Sequence, residues 1–385
     1  MTERREGYFL YHSIGQYPDK ERQLGVAMEE LASVWSASDD QQWSYLLGKR
    51  GEFIDLWREL IGAPAGSTTT CENVTQGVHM LMAALPADTL RGRKVLVAAD
   101  CFPSNHFLLT RLQERLGFKL QTVRARQGAH WVSDEDMIAE WDRDVALTLI
   151  TWVSSTSSHR VDLANLVAHG REMGSLIGVD ITQASGLLPF SVDSPQIDFA
   201  VSTSLKWMCG TPGAGMLYVN PQLISDCRPE LCGWFSQDNP FNWDIDTFEY
   251  APDIRRFDNG TPAILPAAAT VPALRWHAGI DRDALVRHNR LLGGILIEAA
   301  DNLGLTLLTP RKEKARGGSL MFETGSTERA KAILASLNHA GFSADSRGST
   351  LRLSPGVQTS EDATRELVEV LEKSFHAVNK GSGRH

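Results

Sequence analysis

The sequence predicts an α/β fold, a mainly parallel sheet between helices followed by a small C-terminal α+β unit. Three observations lead there. Short apolar runs recur at KVLVAA (94–99), ALTLITWV (146–153), LIGVD (176–180), DFAVSTS (198–204) and AGMLYV (214–219). Continuous rather than alternating apolarity is the pattern of strands buried on both faces. Helical periodicity fills most of the gaps, at about 75–85, 104–117, 134–141 and 163–174, as parallel crossovers require. After residue 317 the style changes to SLMFET, a helix near 326–341, LRLS and a helix near 360–378.

In chain order, residues 22–36 and 43–61 carry helical patterns, the second with Leu46, Leu47, Phe53, Ile54, Trp57 and Leu60 on its apolar positions. AGMLYV follows DFAVSTS too closely for a helical crossover, so those two strands are expected to pair antiparallel. The block TPAILPAAATVPALRWHAG and the pattern running to about 302 read as helices despite Pro262, Pro266 and Pro272. The expected division is an N-terminal helical segment (1–60) packing with the small unit, a large α/β domain (61–290) and a small α+β domain (291–385).

With 385 residues there is length for a substantial core. A net charge of −9 argues against non-specific binding to nucleic acid or anionic membrane. No run approaches the roughly 18–20 apolar residues of a membrane span. The charged start MTERREGYF lacks the apolar stretch of a signal peptide. Five cysteines without a CxxC pair suit a reducing cytoplasm better than a disulfide framework or structural zinc. His79, His106 and His159 lack metal-ligand spacing, so no metal is expected.

Lys206 is the only charged residue between Asp198 and Asp226, in otherwise core-like text. A buried ammonium is costly unless it is paired or its pKa falls. Ligands of open α/β sheets bind beyond the carboxyl ends of the strands. Ser154 and Ser155, Asp180 and Gln183, and Thr203 to Lys206 all fall at such ends. An acid and a lysine on neighbouring strand ends suit either a buried ion pair or pyridoxal phosphate. In the latter case the amine forms a Schiff base and the acid keeps the pyridinium nitrogen protonated. ENVTQGVHML puts Val74 and Thr75 at a helix start, with Gly77 in the first turn. That is a place for a phosphate, or simply a threonine cap.

These motifs, in this order, resemble the class V group of fold-type I pyridoxal-phosphate enzymes. The group includes kynureninases, cysteine desulfurases, isopenicillin-N-epimerase-like enzymes and some aminotransferases. VDITQASG resembles the group's Asp-x-x-Gln/His segment, and DFAVSTSLKWMCGTPGAGMLYV its lysine segment. DCFPSNHF resembles the loop that supplies the ring-stacking residue, here Phe102. RRFDNGTPAIL resembles the segment by which one subunit reaches its partner's phosphate, here through Thr261. LRLSP resembles the segment whose arginine, here Arg352, grips the substrate α-carboxylate, and Ser155 maps near the cofactor's phenolic oxygen. The resemblance thus implies a homodimer with shared active sites, pyridoxal 5′-phosphate as cofactor and a small L-amino acid as substrate.

Within the group, YFLYHSIGQYP (with His12 and Ser13), CGWFSQ (with Trp234) and SADSRGSTLRLSP resemble kynureninase segments. Ser13 and Trp234 are therefore expected beside the substrate. Leu205 stands where kynureninases carry a tyrosine, and Gln183, where they carry a histidine, matches the desulfurases. No cysteine follows Cys232, so a desulfurase's mobile-loop thiol is missing. The expected activity is side-chain cleavage, by kynureninase-like hydrolysis or C–S elimination. Transamination, or a catalytically altered cofactor-binding protein, is the alternative.

Overall fold

The computed structural model describes residues 5–382, and the first four residues of the charged start lie outside them. Helices α1 (Lys20–Trp35) and α2 (Gln42–Leu60) precede strand β1 (Thr68–Cys71) and helices α3 (Val74–Ala84) and α4 (Ala87–Leu90). Strand β2 (Lys94–Ala98), helix α5 (Pro103–Leu116), strand β3 (Lys119–Val123) and helix α6 (Asp134–Ala139) follow. Next come β4 (Val145–Thr151), α7 (Leu163–Met173), β5 (Leu176–Asp180), β6 (Phe199–Thr203), β7 (Gly215–Val219) and α8 (Pro221–Ile224). Helices α9 (Ile264–Gly279) and α10 (Arg282–Leu303) lead to β8 (Thr306–Leu307), β9 (Leu320–Glu323) and α11 (Thr327–His339). Strands β10 (Asp345–Arg347) and β11 (Thr350–Leu353) and helix α12 (Glu361–Ser382) close the fold.

The large sheet has the order β1-β7-β6-β5-β4-β2-β3. Its five strands from β6 to β3 run parallel, while β7 pairs antiparallel with both β6 and β1. The antiparallel pairing expected of AGMLYV is therefore found. The five strands read from the sequence are there, and two more, β1 and β3, form the sheet's edges. KLQTV lacks the apolar run of a central strand because it is only partly covered, whereas TTTC is buried and lacks it because the Thr69 and Thr70 hydroxyls accept from Arg50. Central strands bury both faces. Phe199 and Val201 enter one core with Leu147 and Leu149, whereas Ala200 enters the opposite core with Ile177 and Val179.

The small antiparallel sheet has the order β10-β11-β9-β8. Phe9 packs into its core with Leu320, Leu351 and Leu367. Helices α1 and α2 lie elsewhere: Leu31 and Leu46 pack on Ile264 and Ala268 of α9, and Phe53 and Trp57 reach the large core. Helix α10 links the two cores, with Leu285 in the large one and Leu296 and Ala300 in the small one. Helix α9 runs through Pro272, as its apolar pattern implied.

From β2 the chain moves outward to β3, then returns to β4 on the other side of β2. Such a reversal opens a crevice at the carboxyl ends of the strands. Phe102, Ser155, Asp180 and Thr203 all lie at or just past those ends. The loop carrying Lys206 rests on Gly186, whose φ is +95° and whose added Cβ would stand 2.3 Å from the carbonyl oxygen of Trp207. Gly186→Ala is expected to lower the unfolding free energy by about 3 kcal/mol, from left-handed strain plus a backbone clash. An unchanged urea midpoint would refute this.

Candidate active site

The crevice encloses a cavity of about 680 Å³. Eight of the side chains expected at the site line it: Val74, Thr75, Phe102, Ser155, Asp180, Gln183, Thr203 and Lys206.

At the start of α3 the cap is Asn73, whose side chain accepts a hydrogen bond from the Gln76 amide at 3.0 Å. This corrects the reading of Thr75 as a possible cap: Thr75 lies inside the first turn and lines the cavity. Gly77 lets the helix sit close to the sheet, since an added Cβ would meet Cys71 Sγ and Val201 at 3.1 Å.

Asp180 ends β5 and is buried. Its Oδ1 accepts from the Thr182 amide at 3.0 Å and its Oδ2 from Asn105 Nδ2 at 3.1 Å. Both oxygens are thus held in fixed directions. Gln183 is equally constrained, donating from Nε2 to the His12 carbonyl at 3.1 Å while Oε1 accepts from Trp207 Nε1 at 3.2 Å. Through this contact the N-terminal segment becomes part of the site's wall.

Lys206 follows β6 in a tight loop in which the Cys209 amide donates to its carbonyl at 2.7 Å and Gly15 donates to Leu205 at 2.9 Å. Burial lowers the ammonium pKa. Asp180 opposes that shift, and the positive charges of Arg352 and Arg347 add to it. Among the described residues no carboxylate forms an ion pair with this amine, so the contact Asp180–Lys206 pair allowed by the sequence is not formed. Its Nζ lies 5.0 Å from the centroid of the Phe102 ring, which is 38% exposed at the cavity mouth. Ser155 Oγ, Thr151 Oγ1 and Thr182 Oγ1 are buried and lack hydrogen-bond partners among the described residues, and all three residues line the cavity.

Four expected residues lie outside this lining. Arg352 is buried on β11 and paired with Asp345 of β10. Burial raises the Asp345 carboxyl, but His12 and Arg352 outweigh it and hold its pKa at about 2. Thr261 is exposed and borders an adjoining cleft of about 280 Å³, next to the buried Arg50–Asp258 ion pair at 2.7 Å. Trp234 packs edge-on against Trp43 at 6.2 Å and stacks on Trp243. Ser13 sits in an exposed turn, its amide donating to Leu10.

Sequence reasoning missed Asn105, Thr151, Thr182, His79, Ser104 and Leu108. His79 lies one helical turn beyond Thr75, and Leu108 one turn beyond Ser104, so each shares a cavity-facing stripe. Asn105 carried a usable signal, being a polar residue in the first turn after Phe102, and the fold buries it completely.

Residues 54–352 match the family model described as aminotransferase class-V. A kynureninase of Yarrowia lipolytica is 25% identical over 97% of this chain and 94% of its own length. A kynureninase of Bacillus anthracis is 28% identical over 75% of this chain and 69% of its own. Among solved structures, a cysteine desulfurase from Thermococcus onnurineus superposes with a TM-score of 0.84 at 20% identity, covering 96% of this chain and 94% of that one. A cystine C–S lyase complexed with cysteine persulfide superposes at 0.83 and 17% identity, covering 95% and 97%.

Proposed function

The chain belongs to the aminotransferase class-V family of pyridoxal-phosphate-dependent enzymes, and on that premise we propose that it cleaves the side chain of an L-amino acid in the manner of the kynureninases. The observation that carries the reading is one cavity with, on its walls, a half-buried lysine amine that has no ion pair among the described residues and a rigidly held carboxylate. The kynureninase likeness spans most of the chain and supports the choice of reaction.

The residues present fit the cofactor. Lys206 would hold its aldehyde carbon, Asp180 its ring nitrogen, and Phe102 would cover one face. Val74, Thr75 and Thr203 would meet the phosphate, with Thr261 arriving from the partner subunit. The unpartnered Ser155 Oγ is free to meet the phenolic oxygen. When bound, the cofactor withdraws the electron pair left at the substrate Cα. Asp180, both of whose carboxylate oxygens are held in place by Thr182 and Asn105, would meet the ring nitrogen and hold a proton there. Lys206, whose ammonium pKa is lowered by burial, gives up its proton more readily than a free lysine and so can take the Cα proton. Arg352 would receive the α-carboxylate.

In kynureninase-like cleavage the oxygen of water joins the side-chain carbonyl carbon as the Cβ–Cγ bond breaks. Cβ takes up a proton, giving an aryl carboxylate and L-alanine. The test is incubation of the cofactor-loaded protein with L-kynurenine, cysteine conjugates and common amino acids. Anthranilate with equimolar L-alanine is the expected result. Pyruvate release would replace this reading by a C–S lyase, keto acid by a transaminase, and a spectral change without product by a binding protein.

The active unit we infer is a homodimer. Trp243, 76% exposed, and Phe241 form an apolar patch beside Trp234, and Ile245, two residues further along the chain, is 96% exposed. Phe235, next in the chain, donates its amide to Asn259 in the segment that carries Thr261. Such a patch on the outside of one copy suits burial against a second. The five cysteines are all free, which supports placement in a reducing cytoplasm. No helix among the described residues is long and apolar enough to cross a membrane.

A further inference from the structure

We propose that Asp345 is a positioning residue for Arg352, holding the guanidinium so that its outer edge stays open to the substrate α-carboxylate. The proposal rests on the reading of Arg352 as the carboxylate receiver.

Asp345 and Arg352 are directly opposed Cα partners on β10 and β11. Arg352 Nε donates to Asp345 Oδ1 at 2.8 Å, and Nη2 donates to Oδ2. A guanidinium has five N–H donors in a planar fork. This pairing uses the inner edge alone, the Nε hydrogen and one Nη2 hydrogen. No described residue accepts from Nη1, so the outer edge keeps Nη1 and the second Nη2 hydrogen. That edge has the spacing for a second bidentate carboxylate.

Asp345 is anchored in turn. Its Oδ1 lies 3.2 Å from His12 Nε2, and His12 Nδ1 is 2.7 Å from Ser354 Oγ. The His12 carbonyl accepts from Gln183, which lines the cavity. A continuous set of polar contacts therefore runs from the cavity wall through His12 to the arginine, and the Asp345–Arg352 pair itself sits on two paired strands. The Arg352 side chain is 10% exposed and that of Asp345 31%, so the guanidinium is the more buried partner of the pair. Asp345 does not compete with the substrate, because it occupies the other edge of the fork. Its removal frees the arginine's rotamers and leaves Nε and Nη2 short of acceptors.

The test compares wild type, Asp345→Asn, Arg352→Ala and the variant carrying both substitutions, each loaded with pyridoxal phosphate. Absorbance titrations use L-alanine and ethylamine, which has the same amine without the carboxylate. Asp345→Asn is expected to raise the L-alanine midpoint about tenfold while leaving the ethylamine midpoint and the cofactor content unchanged. Arg352→Ala should abolish the preference for L-alanine, and the double variant should be no worse. An L-alanine midpoint in Asp345→Asn that is unchanged or lower overturns the positioning role, and so does equal weakening for both amines. A wild type with no preference for L-alanine over ethylamine defeats the reading of Arg352 itself, and the proposal with it.

Discussion

Lys206→Ala yields a folded protein that lacks the absorption of the bound cofactor near ~420 nm and turns over no amino acid. The amine it removes is the one on the cavity wall whose ammonium is destabilised by burial. The substitution does not unfold the chain, because among the described residues this ammonium has no ion pair to lose. A lysine whose folded pKa lies below its unfolded value of about 10.4 penalises the folded state while it is protonated. The cofactor-free variant is therefore more stable than cofactor-free wild type at neutral pH. That advantage shrinks as pH rises from the lowered pKa toward about 10.4, where both states of the wild type become neutral. Urea titrations at pH 7 and pH 10 measure it. A cofactor band surviving in Lys206→Ala, or a variant less stable at pH 7, would remove Lys206 from its assigned role.

Asp180→Asn is expected to keep fold and cofactor while lowering kcat by about 10²–10⁴, the usual range for a lost proton-holding group. An amide cannot offset positive charge on a ring nitrogen as a carboxylate does. The structural cost is small for a specific reason. In the wild type both Asp180 oxygens accept hydrogen bonds, so the new NH₂ would face a donor. The Oδ1 of Asn105 has no partner among the described residues, so a flip of that amide presents an acceptor instead. Stability should therefore fall by no more than about 1 kcal/mol. A variant with wild-type kcat would contradict the role of Asp180, and one that fails to fold would contradict the flip.

Much of the site was legible because it lies at the carboxyl ends of strands that announce themselves. LIGVD and DFAVSTS are apolar on both faces, so Asp180 and Lys206 stood out as charges where a buried strand stops. The edges were less legible. KLQTV is partly exposed and so needs no apolar run, while the buried TTTC replaces apolar side chains by threonine hydroxyls that meet Arg50 from a distant helix. The α3 cap was misplaced for a similar local reason. Asn73 and Thr75 are both competent caps, and the choice depends on where the strand before them ends.

What the residue order settled was local: periodicity, strand length, and the charges that interrupt them. What awaited the folded chain was every relation between distant segments. Gln183 meets His12 across 171 residues, Asn105 aligns Asp180, and Asp345 takes one edge of Arg352. None of these pairs shares a helical or strand period. Hydrophobic burial selects the packing of whole elements, and the polar contacts at the site are fixed only once those elements have docked.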